Sequence, residues 1–374
     1  MKKNIFITGG NGFLGRFLVH ALLKDTNNTL YLLARSQTTE EYLIDEFAWA
    51  DVKRIHIIRG DITLPRLGLK TNSCRRLTTT IDEIWHTAAA TQFGDRYKTI
   101  IQATNVGGTE NVLGLSSSFK RLRNFYYLST AYVCGSGRGN VPEGPVPKNT
   151  TFNNAYEKSK YDAECLVRKS RLPFTIIRPT ILTGESRTGD ARSERSRMVY
   201  GFVLAIYQSM LRLFRDEIEF WKRWEKRGES DPFKIDLRLF GSPSATKNLI
   251  TVDDAVNVCL AIRGSHDKVG KTFNVVNEHC ISLGTMLEVL QGLLKVGGIT
   301  FKPGLSFADI RGTKNPAEHF AYKATMPFHP YVTVPEPRWI TDNVKQLGVE
   351  RIRMCPELFS LLIRHYMYTH LLVH

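Results

Sequence analysis

The chain has 374 residues, 42% of them apolar and 23% charged, which is enough to bury a large core and predicts a nucleotide-binding domain plus a smaller lobe. Its six scattered cysteines form no CxxC pair and no metal-ligand spacing, and no uncharged apolar run is long enough to cross a membrane, so we expect a cytoplasmic protein without a metal site. The formal net charge of +15 favours anionic partners, which could be a nucleotide, a coenzyme, an acidic protein or an anionic membrane surface.

A glycine-rich turn follows the first predicted strand, residues 4–7, which begins too early to leave room for a signal peptide. Residues 8–15, TGGNGFLG, lead from this strand into an amphipathic stretch that predicts a helix. Gly9 permits the tight turn, Gly12 lets the backbone approach a pyrophosphate, and Gly15 lets the helix pack close to the strand. The alternative is an ordinary strand-to-helix turn. The pattern predicts a dinucleotide site that includes Thr8, Gly9, Asn11, Gly12, Phe13, Leu14 and Gly15.

The residue after the second predicted strand, residues 29–34, selects the cofactor. An acidic side chain at this place would hold the ribose 2′-hydroxyl of NAD, whereas a cation accommodates the 2′-phosphate of NADP. Arg35 occupies it and therefore predicts NADPH. The alternative is a solvated arginine at a strand end.

Two further predicted strands, residues 54–59 and 81–85, end in stretches that would meet the same edge of the sheet. Asp61 follows the first of them and could simply cap a turn. The second leads into HTAAA, in which small residues such as Ala88 let a dinucleotide lie close to the backbone. We expect His86, the first residue of HTAAA, to be structural.

A hydroxyl pair and a YxxxK pattern supply the candidate chemistry. Ser129 and Thr130 follow a fifth predicted strand, residues 124–128, beside the expected cofactor groove. Tyr156 and Lys160 stand four apart where a helix begins, so both side chains share one helical face. A nearby ammonium would lower the pKa of the phenol from about 10 and make it a usable proton donor near neutrality.

Six motifs, TGGNGFLG, HTAAA, NVGGT, LSTAYVCG, NAYEKSK and IRPTILTG, occur in the order typical of extended short-chain dehydrogenase/reductases. The resemblance covers about half the chain, up to Gly184. It implies an α/β fold: a Rossmann doubly wound parallel sheet, with a smaller C-terminal substrate-binding lobe. The Rossmann domain would span 1–184 with return segments near 248–263 and 271–277, and the lobe would comprise 185–247 and 278–374. The last three motifs look most like those of thioester reductases, meaning fatty acyl reductases and the reductase domains of carboxylic acid reductases and nonribosomal synthetases.

The resemblance also implies residue roles. Thr130 would hydrogen-bond the substrate carbonyl, Tyr156 would protonate it, and Lys160 would hold the nicotinamide ribose and tune Tyr156. Asn105, in NVGGT, would fix backbone and water near the site, and Asp61 would contact the adenine amino group. The other implied cofactor contacts are Ile62, Ala88, Ser129, Pro179, Thr180 and Ile181.

Beyond Gly184 the sequence supports only general expectations. Residues 185–197 are polar and arginine-rich, which favours a mobile loop over the site. Residues 199–214 predict an apolar helix that could line an acyl tunnel or form core. The many Gly and Pro residues between 297 and 337 predict loops, and the amphipathic tail, residues 358–373, allows peripheral membrane contact.

We therefore predict NADPH-dependent hydride transfer to a carbonyl. The predicted substrate is an acyl thioester on coenzyme A or a carrier protein, reduced to an aldehyde or an alcohol, and no nucleic-acid partner is expected. Two alternatives are enzymes of the same superfamily: a sugar-nucleotide epimerase or dehydratase, and a hydroxysteroid-type dehydrogenase. A third is a non-catalytic NADP-sensing protein.

Overall fold

The computed structural model describes residues 2–50, 52–137, 139–191, 197–212 and 232–371. Part of the predicted loop (192–196) and the end of the predicted helix (213–214) lie outside these residues. The chain forms two compact units. The first comprises Met1–Thr180, Val252–Val276 and Arg338–Glu350, and the second comprises Ile181–Thr251, Asn277–Pro337 and Arg351–His374.

The strands are short and lie mostly in the first unit. In chain order they are β1 (Lys3–Thr8), β2 (Asn28–Ala34), β3 (Ile55–Arg59), β4 (Glu83–His86), β5 (Asn124–Leu128), β6 (Asn140–Val141), β7 (Phe174–Pro179), β8 (Ile181–Thr183), β9 (Phe233–Phe240), β10 (Thr246–Lys247), β11 (Leu249–Thr251), β12 (Thr272–Val275), β13 (Ile281–Ser282), β14 (Val296–Lys302) and β15 (Arg338–Trp339).

Helices alternate with the strands in both units. They are α1 (Phe13–Leu23), α2 (Gln37–Glu46), α3 (Thr71–Thr80), α4 (Lys98–Ile101), α5 (Gly108–Ser116), α6 (Ala155–Lys169), α7 (Arg197–Leu211), α8 (Val252–Gly264), α9 (Leu283–Leu294), α10 (Phe307–Gly312), α11 (Pro316–Thr325), α12 (His329–Val332), α13 (Asp342–Lys345) and α14 (Pro356–His370). A π-helical segment, Gln102–Gly107, joins α4 to α5.

Seven parallel strands form the sheet of the first unit, in the order β3-β2-β1-β4-β5-β7-β12. Every residue of β2 is buried, as expected for a parallel strand with both faces covered. On one face of the sheet Phe6 and Phe125 belong to the same apolar cluster as Val112 of α5 and Ala163 of α6. These observations confirm the predicted α/β fold with a parallel Rossmann sheet.

The strand order reverses between β1 and β4. From β1 the chain runs outward through β2 and β3, whereas β4 begins the other half of the sheet. In open α/β sheets ligands bind at the carboxyl ends of the strands beside such a switch point. The glycine turn follows β1 and HTAAA begins at the last residue of β4, so both stretches lie there.

The structure of the second unit contradicts the prediction that residues 297–337 form mainly loops. This range contains most of β14 and the helices from α10 to α12. Gly298 has a φ of +87° where the register of β14 shifts, and Pro316 is the first residue of α11, a position that lacks an intrahelical hydrogen bond. Gly298 and Pro316 thus belong to regular elements, whereas Gly304 and Pro335 lie in the connections between them.

The three other features predicted beyond Gly184 pack within the second unit, as far as the structure describes them. Residues 185–191 form a hydrogen-bonded turn in which Gly189 lies against His365 of α14. Tyr200 of α7 stacks on Tyr366 of α14 with ring centroids 4.6 Å apart, and one face of α14 is buried, whereas Leu361 and Tyr368 are exposed. These contacts favour core over an acyl tunnel, and membrane contact through the tail stays a prediction. Among the residues described, no helix has the length and apolarity needed to cross a membrane.

Candidate active site

The turn after β1 is shaped by glycines that leave no room for side chains. Gly9 has a φ of +76°, and a Cβ at this position would lie 2.6 Å from the backbone nitrogen of Ala88. A Cβ at Gly15 would lie 2.1 Å from the carbonyl oxygen of Gly9. The Gly12 nitrogen donates to that same oxygen at 2.9 Å. The turn therefore presents bare backbone at the amino end of α1, which suits a pyrophosphate.

Two side chains fasten this turn to the end of β4. The Thr8 hydroxyl lies 2.7 Å from His86 Nδ1, and both residues are almost completely buried. The Thr87 hydroxyl donates to the Thr8 carbonyl at 2.7 Å. Thr8 thus lies beneath the turn and positions it, while Asn11 and Phe13 remain half-buried around it.

Asn105 lies in the π-helical segment and is 1% exposed. Its side chain accepts from the Ala90 nitrogen at 2.7 Å and donates to the Ala90 oxygen at 2.9 Å. It also donates to the Ser159 hydroxyl at 2.9 Å. A π-helical turn often marks a functional site, and this one connects the HTAAA stretch to α6.

Ser129 and Thr130 follow β5 and are both buried. Thr130 accepts a hydrogen bond from the Tyr132 nitrogen at 3.3 Å and donates to the Pro179 carbonyl at 3.5 Å. The Ser129 hydroxyl has no hydrogen-bond partner within the described residues, although its side chain is only 3% exposed. A buried hydroxyl without a partner is costly, so a bound group at this edge would satisfy it.

The first turn of α6 places Tyr156. Asn154 caps the helix by accepting from the Glu157 nitrogen at 3.0 Å. The Glu157 carboxylate in turn accepts from the Asn153 nitrogen at 2.8 Å. This reciprocal pair satisfies exposed backbone donors at the helix start and fixes the direction in which Tyr156 leaves the helix.

The electrostatics of Tyr156 differ from the prediction. Burial raises the pKa of Tyr156 to about 12, while its hydrogen bond with Thr130 opposes that shift. The expected lowering of the pKa by Lys160 is therefore wrong for this structure, because desolvation of the phenolate outweighs the other influences. Tyr156 keeps its proton across the neutral range.

Lys160 of α6 is 3% exposed, and its side chain reaches the end of β5. Its ammonium donates to the Leu128 carbonyl at 2.6 Å and lies 4.7 Å from the centre of the Tyr127 ring. Burial lowers the pKa of Lys160 to about 7, against the opposing attraction of Glu164. Lys160 can therefore gain or lose its proton near neutral pH.

The predicted adenosine contacts lie at the ends of β2 and β3. Arg35 is exposed immediately after β2. Asp61 accepts from the Thr63 nitrogen and hydroxyl, both at 2.8 Å, so its carboxylate caps a turn. Ile62 is buried, and its carbonyl accepts from Asn111 at 2.9 Å. The role of Asp61 at the adenine stays a prediction.

The remaining predicted contacts follow β7. Pro179 and Thr180 are buried, and the Pro179 carbonyl accepts from Thr130 at 3.5 Å. Ile181 begins β8, which pairs with β11 in the second unit. The side chain of Arg178 forms a buried bidentate ion pair with Glu164, at 2.8 and 2.6 Å.

Sequence reasoning missed three side chains around the site. Ser159 accepts from Asn105 and donates to the Tyr156 carbonyl at 2.7 Å, and Thr109 lies 3.0 Å from His86. The single hydroxyl side chain that follows Asn105 in NVGGT, and the one that precedes Lys160 in AYEKSK, could have indicated them. The third side chain is Arg59, the last residue of β3, which pairs with Ala34, the residue before Arg35. The presence of an arginine at the ends of two neighbouring strands could have indicated it.

Comparisons with known proteins identify the family and the fold of the chain. The NAD-binding family model described as male sterility protein matches residues 7–221. A linear gramicidin synthase of Brevibacillus parabrevis is 32% identical over 205 residues, which cover 50% of this chain and 4% of that protein. A fatty acyl-CoA reductase of Drosophila melanogaster is 28% identical over 201 residues, covering 50% of this chain and 37% of that protein. The chain thus spans less than half the length of either relative.

A solved structure resembles the whole chain. The terminal R domain from the myxalamid PKS-NRPS biosynthetic pathway superposes with a TM-score of 0.75 and 23% identity, covering 100% of this chain and 92% of that one. At this identity the likeness establishes the fold.

Proposed function

As the chain belongs to the male sterility protein family of NAD(P)-binding extended short-chain dehydrogenase/reductases, related to fatty acyl-CoA reductases and nonribosomal reductase domains, we propose that it reduces an acyl thioester with NADPH. The observation that carries this proposal is the buried Lys160, on the same helix as Tyr156, which donates to the Leu128 carbonyl two residues before Thr130 at the carboxyl edge of the sheet.

The residues present fit a dinucleotide. Gly9 and Gly15 let the turn fold close to the end of β4 and leave its backbone at the amino end of α1, and the Ser129 hydroxyl needs a partner. Arg35 would hold the 2′-phosphate, and Arg59 would support it from the neighbouring strand, in competition with Glu40 at 3.8 Å. When bound, NADPH supplies the hydride for the carbonyl carbon.

Thr130 and Tyr156 would handle the carbonyl oxygen. Thr130 donates a hydrogen bond to the oxygen as negative charge develops, and Tyr156 transfers its proton to it. The carbon–sulfur bond of the resulting hemithioacetal then breaks. The hydroxyl returns its proton to Tyr156, and the thiolate leaves and takes a proton from solvent. One thioester yields one aldehyde and one thiol, and a second cycle would give the alcohol.

Lys160 would hold the nicotinamide ribose in this arrangement. Its ammonium donates to the carbonyl of Leu128, the residue directly before the Ser129 and Thr130 pair. With a pKa near 7, Lys160 would also return a proton to Tyr156 after a second reduction, in which the alcohol keeps the proton that Tyr156 gave.

Charge supports a thioester carried on coenzyme A or on a carrier protein. Both carriers present phosphate, and the formal charge of +15 would attract them. Higher ionic strength should therefore raise KM more than it changes kcat, because screening weakens the encounter rather than the chemistry.

The test is to measure NADPH oxidation and free thiol together, using a panel of acyl-coenzyme A and carrier-bound thioesters. We expect one thiol for each aldehyde formed. Turnover of a nucleotide sugar or a hydroxysteroid without thiol release would instead identify one of the other superfamily activities. NADPH binding without any turnover would indicate a sensing protein.

A further inference from the structure

A buried chain of hydrogen bonds begins under the glycine turn. The Thr8 hydroxyl lies 2.7 Å from His86 Nδ1, and His86 Nε2 lies 3.0 Å from the Thr109 hydroxyl. Thr109 in turn donates to the Asn105 carbonyl at 2.6 Å. Each of these four residues is at most 1% exposed. Solvent therefore does not compete for these bonds.

The geometry fixes the protonation of His86. The single hydroxyl proton of Thr109 goes to the Asn105 carbonyl, so Thr109 must accept from His86 Nε2–H. His86 Nδ1 is then the acceptor for the Thr8 hydroxyl. Burial, with a smaller contribution from the charge of Lys160, lowers the pKa of His86 to about 3, so the imidazole is neutral at pH 7.

The same network reaches the proton donor. The Asn105 side chain holds both backbone groups of Ala90 and donates to Ser159. Ser159 donates to the Tyr156 carbonyl at 2.7 Å. A continuous path thus joins the strand under the glycine turn to the first turn of α6.

We propose that His86 is a positioning residue, which holds the cofactor turn and the turn that carries Tyr156 in a fixed relation. This inference rests on the proposed reductase function for its effect on turnover. An apolar side chain could fill the same space, but it would leave the hydroxyls of Thr8 and Thr109 buried without one of their partners. A neutral imidazole at this position satisfies both.

Kinetics on matched variants test the proposal. In His86→Leu we expect kcat, normalised to the number of NADPH-binding sites, to fall about tenfold, because small displacements at a reacting centre are costly. His86→Gln, which keeps an amide donor and acceptor, should recover part of that loss. The matched control is His56→Leu, which removes a half-buried histidine of β3 and should stay within about twofold of the unmodified protein.

A purely structural histidine gives a different result. It would reduce the amount of folded protein in His86→Leu but leave kcat per binding site unchanged, and that outcome overturns the proposal. Should His86→Leu fail to fold, Thr109→Val breaks the same path at the next bond. The single effects of Thr109→Val and His86→Gln should then combine less than additively, and full additivity would count against a shared network.

Nitrogen NMR of the full chain tests the network without any turnover. We expect His86 to show a protonated Nε2 and a bare Nδ1 that do not change between pH 5 and pH 9. The opposite tautomer, or a titration midpoint near 6.5, would contradict the assignment. If no thioester is reduced at all, the proposed function fails, while the network remains testable by this spectrum and by an expected tenfold rise in the Kd for NADPH in His86→Leu.

Discussion

The glycine turn and the start of α6 contribute to the proposed reaction by different physical means. The turn works through missing side chains, since a Cβ at Gly15 would lie 2.1 Å from a backbone oxygen. The start of α6 works through electrostatics, since burial moves the pKa of Tyr156 up to about 12 and that of Lys160 down to about 7. Substitutions in the turn should therefore affect binding, and substitutions in α6 should affect turnover.

The largest effect expected from this difference is at Tyr156. Tyr156→Phe keeps the ring but removes the proton, so kcat should fall by roughly 10² to 10⁴ while the Kd for NADPH changes little. The matched control is Tyr161→Phe in the same helix, which should retain turnover. Near-normal kcat in Tyr156→Phe would refute the proposed proton donor.

The opposite pattern is expected at the turn. Gly15→Ala forces the carbonyl of Gly9 to move, at a cost of about 1 to 3 kcal/mol, and should raise the Kd for NADPH by up to about 100-fold. In the control Gly114→Ala, the added Cβ meets nothing within 4 Å in helix α5, so we expect stabilisation by about 0.5 to 1 kcal/mol. Fluorescence titration and thermal denaturation measure both. Unchanged binding in Gly15→Ala would contradict the steric account.

Substitution of Arg35 tests whether charge, besides backbone shape, contributes to the binding of NADPH. Arg35→Ala should weaken NADPH binding by about 1.5 kcal/mol, roughly tenfold, and leave NADH nearly unaffected, because an exposed charge-assisted contact to the 2′-phosphate is lost. Arg75→Ala on α3 removes an equally exposed arginine and serves as the control. Equal affinity of the unmodified protein for the two cofactors would exclude the assignment of NADPH.

The difference between the glycine turn and the start of α6 also explains which features of the site could be predicted from the sequence. The strand, turn and helix around Gly9 follow from local sequence, because a positive φ and a close backbone approach require glycine wherever they occur. The adjacency of Thr130 and Tyr156 follows from a strand end and a helix start in a parallel sheet. The pKa of Tyr156 does not, because burial depends on residues brought together from distant parts of the chain.

In the second unit, too, local sequence did not predict features that depend on the surrounding structure. Composition between residues 297 and 337 predicted loops, but Pro316 starts a helix and Gly298 accompanies a shift of strand register. The amphipathic tail was expected to allow membrane contact, and its pattern could not show that one face packs within the unit, in part against Tyr200.

The last prediction concerns the pH dependence of stability and isolates Lys160. Its pKa is about 7 in the folded protein, against 10.5 when the side chain is solvated. Between these values the unfolded chain binds one more proton than the folded chain, so stability should rise with pH from about 7 to 10.5, by at most about 1.4 kcal/mol per pH unit. Below pH 7 both states are protonated and the full cost of burying the charge is present.

Lys160→Met should remove this slope in thermal denaturation measured across the range. Lys158→Met, at an exposed position of the same helix, should follow the unmodified protein. If the Lys160→Met curve ran parallel to that of the unmodified protein, Lys160 would have to stay charged in the folded state, and its proposed part in returning protons to Tyr156 would fail.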